Sequence, residues 1–594
     1  MKRRNLFDKL TNPSSSLPLK PFDLSSRRVY SARAGLCIPE ISFEVYKGDK
    51  FKIDTTVFNR TERLLKPAYF RCKQFHHYFF VPFHTLWHEW DSFYTRSTEK
   101  LSSATLGNAY FPNFDVLKFI YDQLGQASGT DMLGFKLWPG IDRMLEMLHY
   151  GSMDMMDSQT YDSLDPTPTK FLNLAKILAY NKIWYWYYRD KRHDANYFSD
   201  FVKLYNVDDI NCSTFANSHV TDQSRLLRMF APKYRCWDSD VFSNNFADTQ
   251  FGSVSVLNAE SIQITSVLDN NSATGGSTNK MKTYRVGVST SGTVTSTTQH
   301  NTVIGIRDEN GELVSGSRDW NIPSLFDILQ LRKAEAVQHW RELMLRAGDS
   351  SKKRYIAMFG SAPNRSEEAP NLLGGFEVNL NVDDVTSTAY LPESQSNESI
   401  GLGDLAGKGF MVKQNGTELE FTAPDAGIFM CISSIMPLAE YDGGCIDKSN
   451  MLIEPTDFYV PQFDKLGFEP IILAEQFADG EYMDMWDRVL GYTVRNHHLK
   501  TNVDRVYGNF RSGKPEAYWC CPKRQVFSVT WPSGSNYYQN YYISPSVVNG
   551  LFDRTILAST TNVEDYYNQD QFKCLSYFHI TGLRPMSELG LPNL

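Results

Sequence analysis

Few residues in this chain have both the type and the spacing that chemistry requires. The run SIGLGDLAGKG (399–409) places four glycines beside Lys408, but not as G-x-G-x-x-G or a P-loop, so a structural turn outweighs a phosphate cradle. His84 and His88 would share a helical face, yet no third ligand stands at a metal spacing. His76 and His77 point to opposite faces of a strand, and Asp383-Asp384 fits a solvated turn better than a calcium loop. No G-x-S-x-G elbow or protease-type cysteine signature occurs. The reading is of a chain with no catalytic residues, no metal site and no cofactor.

Cations mixed with aromatics suggest binding instead. HLKTNVDRVYGNFRSGK (498–514) sets Lys500, Arg505 and Arg511 among Tyr507 and Phe510, a composition able to stack bases and neutralise phosphates on single-stranded nucleic acid. The plainer alternative, which outweighs it, is a cationic strand facing acidic neighbours. Residues 1–34 hold eight cations, among them Lys2, Arg3, Arg4, Arg27 and Arg28, against Asp8 and Asp23. Three prolines and a serine triplet make this segment an extended arm, either a free tail or one lying on a partner or nucleic acid. WYWYYR (184–189) reads as core or subunit contact rather than a base-stacking platform.

The elements that must position these residues are mostly strands. After the turn Lys47-Gly48-Asp49, the positions Phe51, Ile53, Thr55 and Val57 repeat with period 2. An aromatic run from Tyr69 to Val81 ends at Pro82, and Phe572, Cys574, Ser576, Phe578 and Ile580 alternate with outward positions. Strand signals at both ends imply one sheet system with long excursions. Two excursions read as helices: an amphipathic one from Leu174 to about Arg189, and one from Ser324 to Arg346 with Leu325, Ile328, Leu329, Ala336, Trp340 and Leu343 on one face. In residues 251–310, Ser, Thr, Gly and Asn fill 31 of 60 positions and only eight are charged, which suits surface hairpins and loops added outside a scaffold.

Composition narrows the class. Of 594 residues 42% are hydrophobic and 22% charged, so the chain is globular rather than disordered. Aromatics reach 14%, which suits β-structure and large contacts between subunits. A net charge of −8 excludes a uniformly basic nucleic-acid coat, so any such contact is local. The N-terminus lacks the apolar core of a secretory signal, and no stretch is apolar for the roughly 18 residues of a membrane span. Nine scattered cysteines argue for a reducing compartment such as bacterial cytoplasm.

Eight segments, in order, carry a resemblance. They are KGDKFKIDTTVFNRTERLLKPAYF (47–70) with FHHYFFVPFHTLWHEWDSF (75–93), AYNKIWYWYYRD (179–190), LRKAEAVQHWRELMLRAG (331–348) with RYIAMFG (354–360), DFYVPQFDKLGFEPI (457–471), VDRVYGNFR (503–511) and LRPMSELGLPNL (583–594). Together they resemble the microvirus major capsid protein family in its gokushovirus-like branch; the family's usual Pro-Gly-Asp appears here as Lys47-Gly48-Asp49.

The resemblance implies a mainly β fold, an eight-stranded antiparallel jelly-roll sandwich with long inserted loops and a few helices. It implies pentamers building a T=1 icosahedral shell around a circular single-stranded DNA genome. It also implies a small basic DNA-binding protein, minor or pilot proteins and scaffolding proteins as partners, a host surface receptor, and no membrane insertion. The protein would reside in the virion after assembly in the bacterial host cytoplasm. The domains expected are a basic arm (1–34), one jelly-roll domain (35–594) and the surface insertion (251–310). Lys2, Arg3, Arg4, Arg27, Arg28, Lys500, Arg505 and Arg511 are the expected inner-surface contacts. Trp87, Trp90, Trp184, Trp186, Tyr187 and Tyr188 are expected in or directly beneath subunit interfaces. The rival class is a β-sandwich carbohydrate-binding protein or glycoside hydrolase.

Overall fold

The computed structural model describes residues 18–87, 90–95, 111, 113–114, 116–117, 120, 137–152, 172–190, 229–246, 248–249, 261–265, 283–284, 287–288, 294–295, 299–300, 319–323, 328–347, 351–361, 369–386, 405–413, 418–464, 467–476, 489–511, 513–520, 542–552 and 570–587. Two facing sheets are built from eleven strands: β1 (Lys20–Asp23), β2 (Ser26–Ala32), β3 (Ile38–Val45), β4 (Lys50–Leu64), β5 (Cys72–Pro82), β6 (Asn371–Asn379), β7 (Asn381–Thr386), β8 (Leu405–Lys413), β9 (Leu419–Thr422), β10 (Gly427–Pro437) and β11 (Phe572–Arg584). One sheet runs β1-β11-β4-β8-β7, with β2 also on β11 and β9 also on β4; the other runs β6-β5-β10-β3. Every pairing in both sheets is antiparallel. Strands from the N-terminal and C-terminal parts of the chain meet in the first sheet, as the strand signals in both parts imply.

Alternation sets the register. In β4, Phe51, Ile53, Thr55, Val57, Asn59 and Thr61 are buried, while Lys50, Lys52, Phe58 and Arg60 face out. The turn before it depends on Gly48, whose φ of 92° a side chain would strain. β10 is buried along its whole length because both of its faces are covered. Phe429, Cys431 and Ile435 line the sandwich; Met430 and Ile432 join a cluster with Tyr180, Trp184 and Phe230 on the other face.

The sandwich core is interrupted by a polar belt. Along β11 the inward residues run Phe572 and Cys574, then Ser576, then Phe578 and Ile580; along β5 they run Cys72, then Gln74 and His76, then Tyr78 and Phe80. The apolar residues on either side form separate clusters. Within the belt, Ser576 donates to Glu40 (2.8 Å), Gln74 donates to Ser433 (2.8 Å), and Asn59 donates to Gln74. Buried polar groups at this depth are costly unless bonded in this way.

Several expectations are corrected. Part of the expected arm is packed rather than free: β1 and β2 zip onto β11, with Arg27 opposite Tyr577 and Arg28 opposite Ser576, while residues 1–17 lie outside the described residues. Eight strands span seven residues or more, and β1, β7 and β9 are short additions to the expected eight. Gly407 and Lys408 lie in β8 rather than a turn; a side chain at Gly407 would meet the Lys66 carbonyl at 2.6 Å. Asp383 and Asp384 sit on edge strand β7. The aromatic helix is not amphipathic. Its α-helical part, Ala175–Ile183, is buried on nearly every side, and Trp184–Tyr188 continues as a π-helix.

Residues 248–363 form a second compact unit, which contains the insertion expected over 251–310. Within it Ser261–Thr265 pairs with Asp319–Pro323, and Thr283–Tyr284 pairs with Gln299–His300. Helices span Ile328–Ala347 and Ser351–Phe359. The cap expected at Ser324 lies outside the described residues. Trp340, placed on the helix's apolar face by its spacing, is exposed.

Candidate nucleic-acid interface and subunit surfaces

Strand β2 and the helix Leu137–Leu148 wall a cleft of about 540 Å³, lined among others by Arg27, Arg28, Glu40, Arg143, Glu146 and His149. Arg143 is neutralised there, since its guanidinium grips Asp570 at 3.0 and 2.5 Å. Arg27 and Arg28 have no carboxylate partner among the described residues, and Arg28 Nε is buried without a hydrogen bond. His149 has a left-handed backbone (φ 62°), and burial together with the charges of Lys176 and Arg28 holds its pKa below the ordinary value. Unpaired guanidinium groups with a lysine and a histidine nearby suit a phosphate or carboxylate. Lys2, Arg3 and Arg4 lie outside the described residues.

The second basic segment is arranged differently. Lys500 bonds Asp464 at 2.9 Å, Arg505 stands 3.9 Å from Asp447, and Arg511 donates to Asp442. The cationic segment faces acidic neighbours, and its aromatics Tyr507 and Phe510 remain exposed. Behind it, buried His497 is clamped between Glu469 (2.6 Å) and Glu475 (2.9 Å). Burial alone would lower the His497 pKa, but the bonds to both carboxylates push it up to about 9. Burial would raise Glu469, yet its bonds from the His497 side chain and backbone bring it to about 2. A histidine held protonated on both nitrogens cannot serve as a general base, so this triad is a structural ion cluster. Sequence reasoning missed it because the three residues are neighbours only after Phe468–Ile472 pairs with Val489–Val494.

The six expected interface aromatics fall into two groups. Trp184 is fully buried and its indole donates to the Tyr234 carbonyl (2.8 Å); Trp87, Trp90 and Tyr188 are also in the subunit core. Trp184 therefore has no surface to offer a neighbour. Trp186 is partly buried and Tyr187 is 39% exposed, its hydroxyl donating to the Pro370 carbonyl. The larger exposed apolar side chains lie elsewhere: Ile453 is 85% exposed, and Phe458, Tyr459, Leu499 and Tyr507 each more than half. Of these, only Tyr507 is singled out by the sequence, as a stacking candidate, although DFYVPQF (457–463) shows a run of aromatics without strand or helix period.

His76 faces Glu40 and His77 faces Tyr188, on opposite sides of β5 as expected. His84 bonds Asp425 (3.1 Å), and His88 lies outside the described residues. The seven described cysteines are free thiols. No described helix is long and apolar enough to cross a membrane.

No curated protein matches the chain. The profile of a phage family described as capsid protein (F protein) matches residues 12–113 and 168–594; helix Leu137–Leu148, one wall of the cleft, falls between the matched stretches. The rival carbohydrate-binding reading has no support beside it. With the antiparallel sandwich in place and the match covering most of its length, this chain belongs to the phage capsid F proteins, the major capsid proteins of the microviruses.

Proposed function

We propose that this capsid protein closes a T=1 shell, assembled from pentamers in the host cytoplasm around a circular single-stranded DNA genome, and that it performs no catalysis. The family implies self-assembly into a shell and residence in the virion. The observation that carries the genome contact is the unpaired state of Arg27 and Arg28 in a cleft where Arg143 is neutralised. Lys2, Arg3 and Arg4 would extend this basic surface toward the interior. A chain of net charge −8 leaves most phosphate neutralisation to other components, consistent with a small basic DNA-binding protein as a partner. Scaffolding and minor or pilot proteins would complete the particle.

Subunit contacts are proposed at the exposed Ile453, Phe458, Tyr459, Leu499 and Tyr507, together with Tyr187 and Trp186, because a shell subunit must cover such surface. Trp87, Trp90, Trp184 and Tyr188, in the core cluster against which Trp186 packs, are proposed to act beneath such contacts. The polar 251–310 insertion, within the second unit, is proposed to face outward toward a host receptor; deletion of 262–300 should leave assembly intact and alter attachment.

The genome contact is tested by Arg27→Ala/Arg28→Ala. Its affinity for single-stranded DNA should fall and its log–log salt slope should shrink by about 1.4, two phosphates at about 0.7 each. An unchanged slope in correctly folded protein overturns the assignment.

A further inference from the structure

We infer that Glu40, His76 and Cys431 form a buried site for a divalent transition metal, zinc being the ion that the donor set fits. Three neighbouring strands of one sheet, β3, β5 and β10, each bring one donor: a carboxylate oxygen, an imidazole nitrogen and a thiol sulfur. All three residues are buried, and one ligand atom from each lies within 4.8 Å of the others. Glu40 Oε2 is 2.8 Å from His76 Nδ1 and 3.7 Å from Cys431 Sγ. Donors about 2.0–2.3 Å from a tetrahedral zinc sit roughly 3–4 Å from each other, so modest shifts suffice.

The backbone prepares this arrangement. Cys431 pairs with Ile41 and Ile432 with Pro39, which leaves Glu40 as the extra residue of a bulge. A bulge re-aims a side chain, and here it turns a carboxylate into the sandwich interior. The donors already converge on one point, since Glu40 Oε2 meets both His76 Nδ1 and the Cys431 thiol, and a thiol is a weak hydrogen-bond donor that a metal readily replaces. A divalent ion, one carboxylate, one thiolate and a neutral imidazole sum to zero charge, which suits a site without water. Binding would displace the Cys431 thiol proton to solvent.

The mix of S, N and O donors favours zinc over magnesium or calcium. Tyr30, whose hydroxyl donates to Glu40 and touches Cys574, stands beside the cluster from the facing sheet. An ion here would tie β3, β5 and β10 together at the belt.

The test uses intact particles made in zinc-supplemented cells, washed with EDTA and then unfolded in guanidinium beside a chromogenic chelator. The expected result is about one zinc released per chain, with none from Cys431→Ser, whose hydroxyl can still donate to Glu40. Absence of chelator-resistant zinc in the wild type, or equal release from both proteins, overturns the site. If the variant yields no particles, cobalt-loaded wild type decides. Tetrahedral bands with thiolate charge transfer support the site, and a spectrum lacking thiolate charge transfer overturns it.

Discussion

The two basic segments that look alike in sequence differ in the fold. Arg27 and Arg28 stand on an edge strand, facing a cleft where the carboxylate of Asp570 is already occupied by Arg143. Lys500, Arg505 and Arg511 lie in a loop system whose acidic residues meet them one for one. Local composition cannot separate these cases, because Asp442, Asp447 and Asp464 come from 36 to 69 residues away in sequence. What decides whether a cation is available is the neighbour that topology supplies.

The largest effect should come from the clamp that holds the paired segment. His497→Ala would leave Glu469 and Glu475 facing each other without their cation, at a cost of about 3–5 kcal/mol. A clear drop in unfolding midpoint and in particle yield is expected; an unchanged midpoint would remove the clamp from the account. The pH dependence has a definite sign. His497, raised to about 9, contributes stability fully below its unfolded value near 6.5 and loses it as pH rises through 9. Glu469, lowered to about 2, contributes above its unfolded value near 4.5 and loses it as pH falls through 2. Protection factors at 489–500, corrected for the intrinsic pH dependence of amide exchange, should therefore be highest between about pH 4.5 and 6.5.

Arg511→Ala comes next. The part-buried guanidinium bonds Asp442 and lies against Gly444, so its loss should cost about 1–2 kcal/mol. Arg28→Ala, which removes no ion pair, should change stability by less than about 0.5 kcal/mol while weakening DNA binding. Equal stability losses from the two variants would erase the distinction between the segments.

Much of the sandwich was legible because period 2 is unambiguous when one face is buried: Phe51 to Val57 and Phe572 to Ile580 fall inward as their alternation requires. The failures share one cause. Trp184 and Tyr188 repeat at helical spacing, but spacing does not reveal that a second layer covers every side of their helix. Arg27 and Arg28 read as part of an unpacked extended arm because β2 gains its pairing from β11, about 540 residues later or more. The polar belt was invisible for the same reason. Ser576 and Gln74 look like ordinary strand interruptions until Glu40 is turned toward them. Of the candidate site, the cations were legible and so was the acidic pairing of 498–514, but not which carboxylates supply it.

The smallest structural effect tests the comparison most directly. Lys500 and Asp464 are both substantially exposed, and pairs of this kind add little to stability. Asp464→Asn should leave the unfolding midpoint unchanged while releasing Lys500, which would keep its bond to the Arg495 carbonyl (2.8 Å). If pairing alone keeps this segment from nucleic acid, the variant should bind single-stranded DNA more tightly at low salt, with a slope steeper by about 0.7 for one added phosphate contact. The exposed rings of Tyr507 and Phe510 would then be available for stacking beside it. Fluorescence titration of wild type and variant across a salt series reads both quantities. An identical slope would mean that the position of Lys500 on the particle, rather than its acidic neighbour, keeps it from DNA.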